Sequence, residues 1–198
     1  MTETSPRTPG HDIDPLFITR WSPRAFDASP LAEDALMRLF EAARWAPSAF
    51  NAQPWRFVYA LRDGGDWDRL LDTLIPFNQS WAKSASALVF IVSDRFLRKP
   101  DGTANGDSYS HSFDAGAAWA QLSLQAAREG LHVHAMSGFD GGRARSAMAL
   151  PEDFHIEAAI AVGRLGDPAT LSEGLRAKES PSGRRPLDET AFAGRFPS

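Results

Sequence analysis

Cysteine is absent from the 198 residues. Disulfides, thiolate nucleophiles, iron-sulfur clusters and dithiol redox centres are therefore excluded, and any redox chemistry must come from a bound cofactor. Long apolar runs are missing too. None approaches the ~20 residues of a membrane-spanning helix, so no membrane insertion is expected. Nor is there an excess of positive charge: the formal net charge is -4, which argues against general nucleic-acid binding, because that needs a basic field. Residues 1–12 are polar and carry Pro6, Pro9 and Gly10, which reads as a loose N-terminal tail on a cytoplasmic protein. What is present suffices for one substantial core, since 43% of the chain is hydrophobic and 23% charged. Residues 13–198 are therefore expected to form a single domain, with 180–198 as an extended C-terminal arm.

The most informative stretch is Arg44–Phe57, which separates two regular elements. Before it, Leu31, Ala35, Leu36, Leu39, Phe40 and Ala43 recur at helical spacing and predict a helix over Leu31–Trp45, with Ser29 as a cap and Pro30 in its first turn. After it, Trp55, Phe57 and Tyr59 alternate with Arg56 and Val58, as in a strand over Trp55–Leu61. Pro47 ends the helix and Pro54 holds Gln53 extended. Ser48, Asn51 and Gln53 lie between the prolines, either as plain turn residues or as groups that bond a ligand.

Upstream, Arg20-Trp21-Ser22-Pro23-Arg24 places Arg20, Ser22 and Arg24 on one side if the backbone is extended. Two guanidinium groups flanking a hydroxyl are either a phosphate clamp or solvated side chains. Downstream, Trp67–Leu74 reads as a helix and Ala87–Val92 as a buried central strand. Residues 94–112 read as a long irregular segment. Ser112–Gly130 reads as the clearest helix, with Phe113, Ala117, Ala120, Leu124 and Ala127 on one wide face with Leu122. His132 and His134 share a strand face, but no third ligand is near them, so no metal site is expected. A short helix follows Met136-Ser137-Gly138-Phe139-Asp140. His155–Gly163 then reads as a strand in which Ile156, Ala158, Ile160 and Val162 alternate. Arg184-Arg185-Pro186-Leu187 is a late basic pair.

Four of these motifs, Arg20-x-Ser22-x-Arg24-x-Phe26, Ala46-Pro47-Ser48 with Asn51 and Gln53-Pro54-Trp55, the Gly138-Phe139 step, and Arg184-Arg185-Pro186-Leu187, closely resemble in kind and order those of the nitroreductase family of FMN-dependent oxidoreductases. The resemblance spans residues 20 to about 189. It implies an α+β fold, a three-layer sandwich whose mainly antiparallel central sheet is flanked by helices, assembled as an intertwined homodimer. It also implies that Arg20, Trp21, Ser22 and Arg24, with Arg184 and Arg185, hold the FMN phosphate and ribityl chain. Pro47, Ser48, Ala49 and Asn51 would reach the same FMN from the partner subunit, and Asn78, Ser137 and Gly138 would lie beside the flavin. Some relatives carry lysine where Trp81 stands and glutamate where Ser137 stands, so no cofactor contact is transferred to Trp81.

The implied activity is ping-pong hydride transfer from NADH or NADPH through FMN to a small-molecule electron acceptor such as a nitroaromatic or a quinone, with no side chain acting as nucleophile or general base. The same resemblance leaves room for an FMN-dependent dehydrogenase, a specialised flavin enzyme, or a non-catalytic flavin-binding protein.

Overall fold

The apolar run after Ser86 becomes the strand around which the molecule is layered. In the computed structural model, which describes residues 7–197, the helices are α1 (Leu16–Thr19), α2 (Glu33–Arg44), α3 (Trp67–Leu71), α4 (Pro76–Ala82), α5 (His111–Arg128), α6 (Gly141–Ala147) and α7 (Glu173–Arg176). The strands are β1 (Trp55–Leu61), β2 (Ala87–Asp94), β3 (Phe96–Arg98), β4 (Ala104–Asp107), β5 (His132–Met136) and β6 (Phe154–Gly163). Four of them form one antiparallel sheet in the order β1-β2-β6-β5, and β3 pairs with β4 as a separate hairpin.

Every residue of β2 is buried, because both sheet faces are covered. On one face Ala87, Val89 and Ile91 pack with Leu36, Leu39 and Ala43 of α2 and Ala115, Ala118, Leu122 and Ala126 of α5. On the other, Leu88 and Phe90 pack with Trp67 and Leu70 of α3, Trp81 and Ala82 of α4, Ala144 of α6 and Leu175 of α7. The result is the expected helix–sheet–helix sandwich, with strand alternation assigning each side chain to a layer.

Several local expectations are corrected. The first long helix starts at Glu33, not Leu31; Ser29 instead closes a turn on Asp27, with its amide 2.9 Å from the carboxylate. The helix expected over Trp67–Leu74 ends at Leu71, and the polar stretch after it is a second helix, α4, opened by Pro76 in its first turn. The segment 94–112 is not irregular throughout, since it holds the β3–β4 hairpin.

The buried face of α5 is Asp114, Ala115, Ala118, Leu122, Ser123 and Ala126. Phe113 is 82% exposed and Ala120 lies on the open side. Alanines all around this helix leave its periodicity without a unique apolar stripe, and the sheet selects the face that allows the closest approach. Gly130, at φ +71°, ends α5 in the left-handed conformation expected of a C-terminal glycine.

The alternation assumed along β6 also breaks. Ile91 pairs with Ala158 but Val92 pairs with Ile156, so Glu157 bulges out of the ladder. Ala158, Ile160 and Val162 face α2 and α5, whereas Ile156 joins the opposite layer. One extra residue reverses the parity.

Candidate functional site

After α1 the chain turns extended at Arg20 (φ -63°, ψ 124°) and is pinned to the end of the sheet. Gly166 N–H donates to the Ala25 carbonyl at 2.9 Å and Asp27 N–H to the Arg164 carbonyl at 3.2 Å. Phe26 is buried, stacked on Trp81 with ring centroids 6.3 Å apart. Trp81 is itself 2% exposed and lies 4.7 Å from the His134 ring. A tryptophan here is thus core material.

Held this way, Arg20, Trp21, Ser22 and Arg24 line a cavity of about 310 Å³ together with Arg7, His134, Lys178, Ser180, Ser182 and Arg184. The far wall is the chain returning after α7, and two ties fasten it. The Glu179 carboxylate accepts the Arg24 and Ala25 N–H groups at 2.6 and 2.8 Å. Arg7 donates from Nε to the Ser182 carbonyl at 2.7 Å and from Nη1 to the carbonyls of Ile18 (3.0 Å) and Arg20 (2.6 Å). Glu179→Ala leaves two amides without their acceptor. It is expected to cost about 1–3 kcal/mol of stability and to speed hydrogen exchange at the Arg24 and Ala25 amides, which exchange-resolved NMR would detect.

Among the described residues, five cationic side chains line this cavity, Arg7, Arg20, Arg24, Lys178 and Arg184, and no carboxylate does. Burial first, then the Arg184 charge, lowers the Arg20 pKa, and burial with Arg184 and Arg20 lowers that of Arg7. Guanidinium groups remain protonated regardless. The lowering registers burial first and mutual repulsion second, and an anion would relieve the second. Arg24 Nε is buried with no hydrogen-bond partner among the described residues, as is Glu179 Oε2.

His134 Nδ1–H donates to the Pro23 carbonyl at 2.9 Å. Burial pushes its imidazole below the ordinary histidine value, against the opposing pull of that bond. The unfolded chain takes up a proton at His134 near pH ~6.5, while the folded chain does so only at lower pH. Its contribution to stability is therefore complete above about pH 6.5 and lost as the pH falls through the folded value. His132, likewise lowered by burial, acts in the same direction. The melting temperature of wild type should fall between pH 7.5 and pH 5.5, and that of His134→Gln should fall less.

The remaining expected site residues lie elsewhere on the subunit. Pro47, Ser48, Ala49 and Asn51 do not line the basic cavity. They form an outward loop in which Phe50, Asn51 and Gln53 take positive φ (54°, 52° and 47°), conformations that are uncommon for residues other than glycine, so Gln53 is not extended before Pro54 as expected. The loop is held by Gln53 N–H on Ser48 Oγ (2.9 Å) and by Ala49 N–H on the buried Asp114 carboxylate (3.2 Å), which also accepts Ser110 Oγ–H (2.9 Å).

Asn78 is buried and its Nδ2 donates to the Gly138 carbonyl at 2.9 Å. A Cβ on Gly138 would lie 2.5 Å from that nitrogen and 2.8 Å from Ile75 Cδ1, so the close approach that demands glycine here comes from α4 and the residue before it. Ser137, next to it, is exposed. Arg185 points away from the basic cavity. It is exposed, 3.9 Å from Glu189, and lines a second cavity of about 710 Å³.

Sequence reasoning missed Arg7, Lys178, Glu179, Ser180 and Ser182, and weighed His134 only as a metal ligand. Of the expected N-terminal tail, residues 1–6 lie outside the described residues, and Arg7 is anchored by the bonds above. One signal was available: Lys178, Ser180 and Ser182 alternate in the same way as Arg20, Ser22 and Arg24.

Comparison with known proteins identifies the family and the fold. The model of the nitroreductase family matches residues 18–76 and 73–164. A solved structure described as an oxidoreductase containing FMN is 45% identical and superposes with a TM-score of 0.94, covering 100% of this chain and 99% of its own. The FMN and NADPH-dependent nitroreductase NfnB from Sphigopyxis sp. strain HMH shares the fold at 19% identity and a TM-score of 0.70, over 91% of this chain and 98% of that one. An uncharacterized 15.4 kDa protein from Mycolicibacterium smegmatis is 36% identical over 124 residues, 62% of this chain and 80% of the relative.

Proposed function

This chain belongs to the nitroreductase family, and from that premise we propose that it is an FMN-dependent oxidoreductase that takes hydride from NADH or NADPH and passes it to an electron-poor acceptor such as a nitroaromatic or a quinone. The observation that carries the reading is the basic cavity. Arg20, Ser22 and Arg24 on one wall, and Lys178, Ser180 and Arg184 on the other, surround a space of about 310 Å³ with no acidic lining group among the described residues, and the buried Arg24 Nε awaits an acceptor. That donor set fits the phosphate of FMN, a group close to doubly charged with several strong acceptors. When bound, FMN supplies the hydride chemistry.

The chain's own part is to bind and orient. Arg20, Arg24 and Arg184 fix the phosphate, Trp21 and His134 bound the cavity beside it, and neutral His134 adds no further charge at neutral pH. No side chain is required as nucleophile or base. Ser48, Ala49 and Asn51, which face away from this cavity, would complete the site from a second subunit, with Asn78, Ser137 and Gly138 beside the flavin. A homodimer is supported by the exposure of Trp45 (69%), Phe50 (92%) and Phe113 (82%), large apolar groups that a monomer gains nothing by leaving in water.

The test is an absorption spectrum of the purified protein before and after anaerobic NADH or NADPH. Flavin bands that bleach with either donor support the reading. Flavin that stays oxidised with both points to a dehydrogenase or a binding protein, and no flavin bound even after FMN is added overturns it.

A further inference from the structure

The loop of residues 47–53 is tightly shaped but loosely anchored. None of its residues is buried, and Phe50 at its tip is 92% exposed. Its backbone nevertheless holds Phe50, Asn51 and Gln53 in the left-handed region, a state that persists only where surrounding bonds determine it. Most of those bonds are the loop's own: Asn51 N–H on the Ser48 carbonyl and Ala52 N–H on the Ala49 carbonyl, both at 3.0 Å, and Gln53 N–H on Ser48 Oγ at 2.9 Å. They set the turn but not the direction in which it points. Among the described residues, one hydrogen bond ties residues 48–53 to an element distant in sequence, the donation of Ala49 N–H to Asp114 Oδ2 at 3.2 Å, across 65 positions.

Resting on the flavin reading above, in which this loop meets the flavin of a second subunit, we propose that Asp114 is the positioning residue that aims it. Three features fit the role. Asp114 is 3% exposed and sits near the start of α5, beside Ala115 and Ala118, which pack into the core against the sheet, so its carboxylate rides on a rigid support. The same oxygen accepts the Ser110 hydroxyl at 2.9 Å, which fixes the rotation of the carboxylate on the helix. Finally, Asp114 makes no ion pair among the described residues. A buried carboxylate held only by an amide and a hydroxyl is costly to desolvate, more than a plain loop tie requires. Ala49 directly precedes the first left-handed residue, so a shift at its amide carries the whole tip with it. Misplacing a ligand-contacting group by about 1 Å is enough to lose its effect.

The experiment measures FMN affinity by flavin fluorescence, the urea midpoint, and hydrogen exchange at the Ala49 amide of flavin-free protein, in wild type, Asp114→Ala, Asp114→Asn and Ser110→Ala. Asp114→Ala is expected to speed exchange at Ala49 and to weaken FMN about tenfold, the equivalent of one charge-assisted hydrogen bond. Asp114→Asn keeps an oxygen in the acceptor's place and should recover most of that loss. Ser110→Ala removes the other donor to the same carboxylate. It should lower the urea midpoint while leaving FMN affinity within about twofold of wild type, which separates positioning from plain stability. Asp114→Ser, which keeps a hydroxyl for Ser110 but falls short of Ala49, carries the same expectation as Asp114→Ala should that variant fail to fold. Unchanged FMN affinity together with faster exchange at Ala49 overturns the positioning role and leaves the flavin reading standing, as does an FMN loss in Ser110→Ala equal to that in Asp114→Ala. No FMN binding by wild type overturns the flavin reading, and the positioning role with it.

Discussion

Arg20→Ala is expected to weaken FMN binding by roughly 10- to 150-fold, the equivalent of one charge-assisted hydrogen-bonding group worth about 1.5–3 kcal/mol. The side chain lies in the basic cavity, half-buried, within 3.4 Å of Ser22 Oγ and under electrostatic pressure from Arg184. Two effects acting in the same direction decide the size of the loss. Removing a phosphate ligand costs affinity, while removing one of several crowded cations relieves repulsion in the empty site and lowers the gain that binding would bring. Both weaken the complex relative to free protein, so the sign is fixed. Arg20→Lys should recover part of the loss, because a point charge replaces the planar fork without its paired donors. Arg185→Ala is the internal control for FMN: its guanidinium is 80% exposed beside Glu189 and outside this cavity. Flavin fluorescence titration reads all three, and an unchanged FMN affinity in Arg20→Ala would remove the phosphate clamp.

Gly166→Ala should be the most damaging single methyl group in the molecule. A Cβ there would sit 2.4 Å from the Phe26 carbonyl carbon, 2.5 Å from its oxygen and 2.7 Å from the Asp27 nitrogen. All three are backbone atoms, fixed by the Phe26–Leu165 bridge and by the Gly166 bond to Ala25, so they cannot swing aside as a side chain would. Overpacking of this kind costs about 1–3 kcal/mol or more, visible as a lowered urea midpoint at unchanged slope. Because the same turn positions Arg24, FMN affinity should fall with it. At Gly142, inside α6, a Cβ meets only Asp140 Oδ1, at 3.5 Å. Gly142→Ala should therefore be neutral or stabilising by up to ~1 kcal/mol, through helix propensity and a less flexible unfolded chain. A Gly166→Ala variant as stable as wild type would show that the turn relaxes freely and carries no positional constraint.

Legibility in the sequence followed the range of the interactions involved. Strand β2 was plain because the six successive apolar residues Ala87–Val92 obey one rule, burial on both faces, and Ser93 and Asp94 extend it. The Arg20, Ser22 and Arg24 alternation was equally plain, since an extended backbone places them on one side without help from the rest of the chain. Helix α4 was obscured by Asn78 and Ser80, weaker helix formers that tertiary packing of Trp81 and Ala82 overrides. The buried face of α5 was missed because alanine is compatible with every side. The Ile156 assignment failed on the Glu157 bulge. What links that carboxylate to the Ser93 and Ser112 hydroxyls is a set of tertiary contacts that no window of sequence contains. Arg7 and Glu179 were unreadable for the same reason. Each is an ordinary charged residue in a polar stretch until the fold joins it to a partner more than 150 positions away along the chain, 175 for Arg7 with Ser182 and 155 for Glu179 with Arg24.

That last distance has a consequence for how the protein is made. The Arg7 bond to Ser182 joins positions 175 residues apart, and the basic cavity has no far wall until residues 178–184 arrive. During synthesis, which proceeds from the N-terminus, the sheet and its helices can assemble while the arginine cluster stands open and self-repelling. Closing so long a loop costs only slowly growing entropy, but the anion that rewards it can be held properly only afterwards. On the function proposed above, flavin capture would be a late checkpoint, passed only by chains translated through Arg184. Any fragment that stops short of it would fold its core yet emerge colourless.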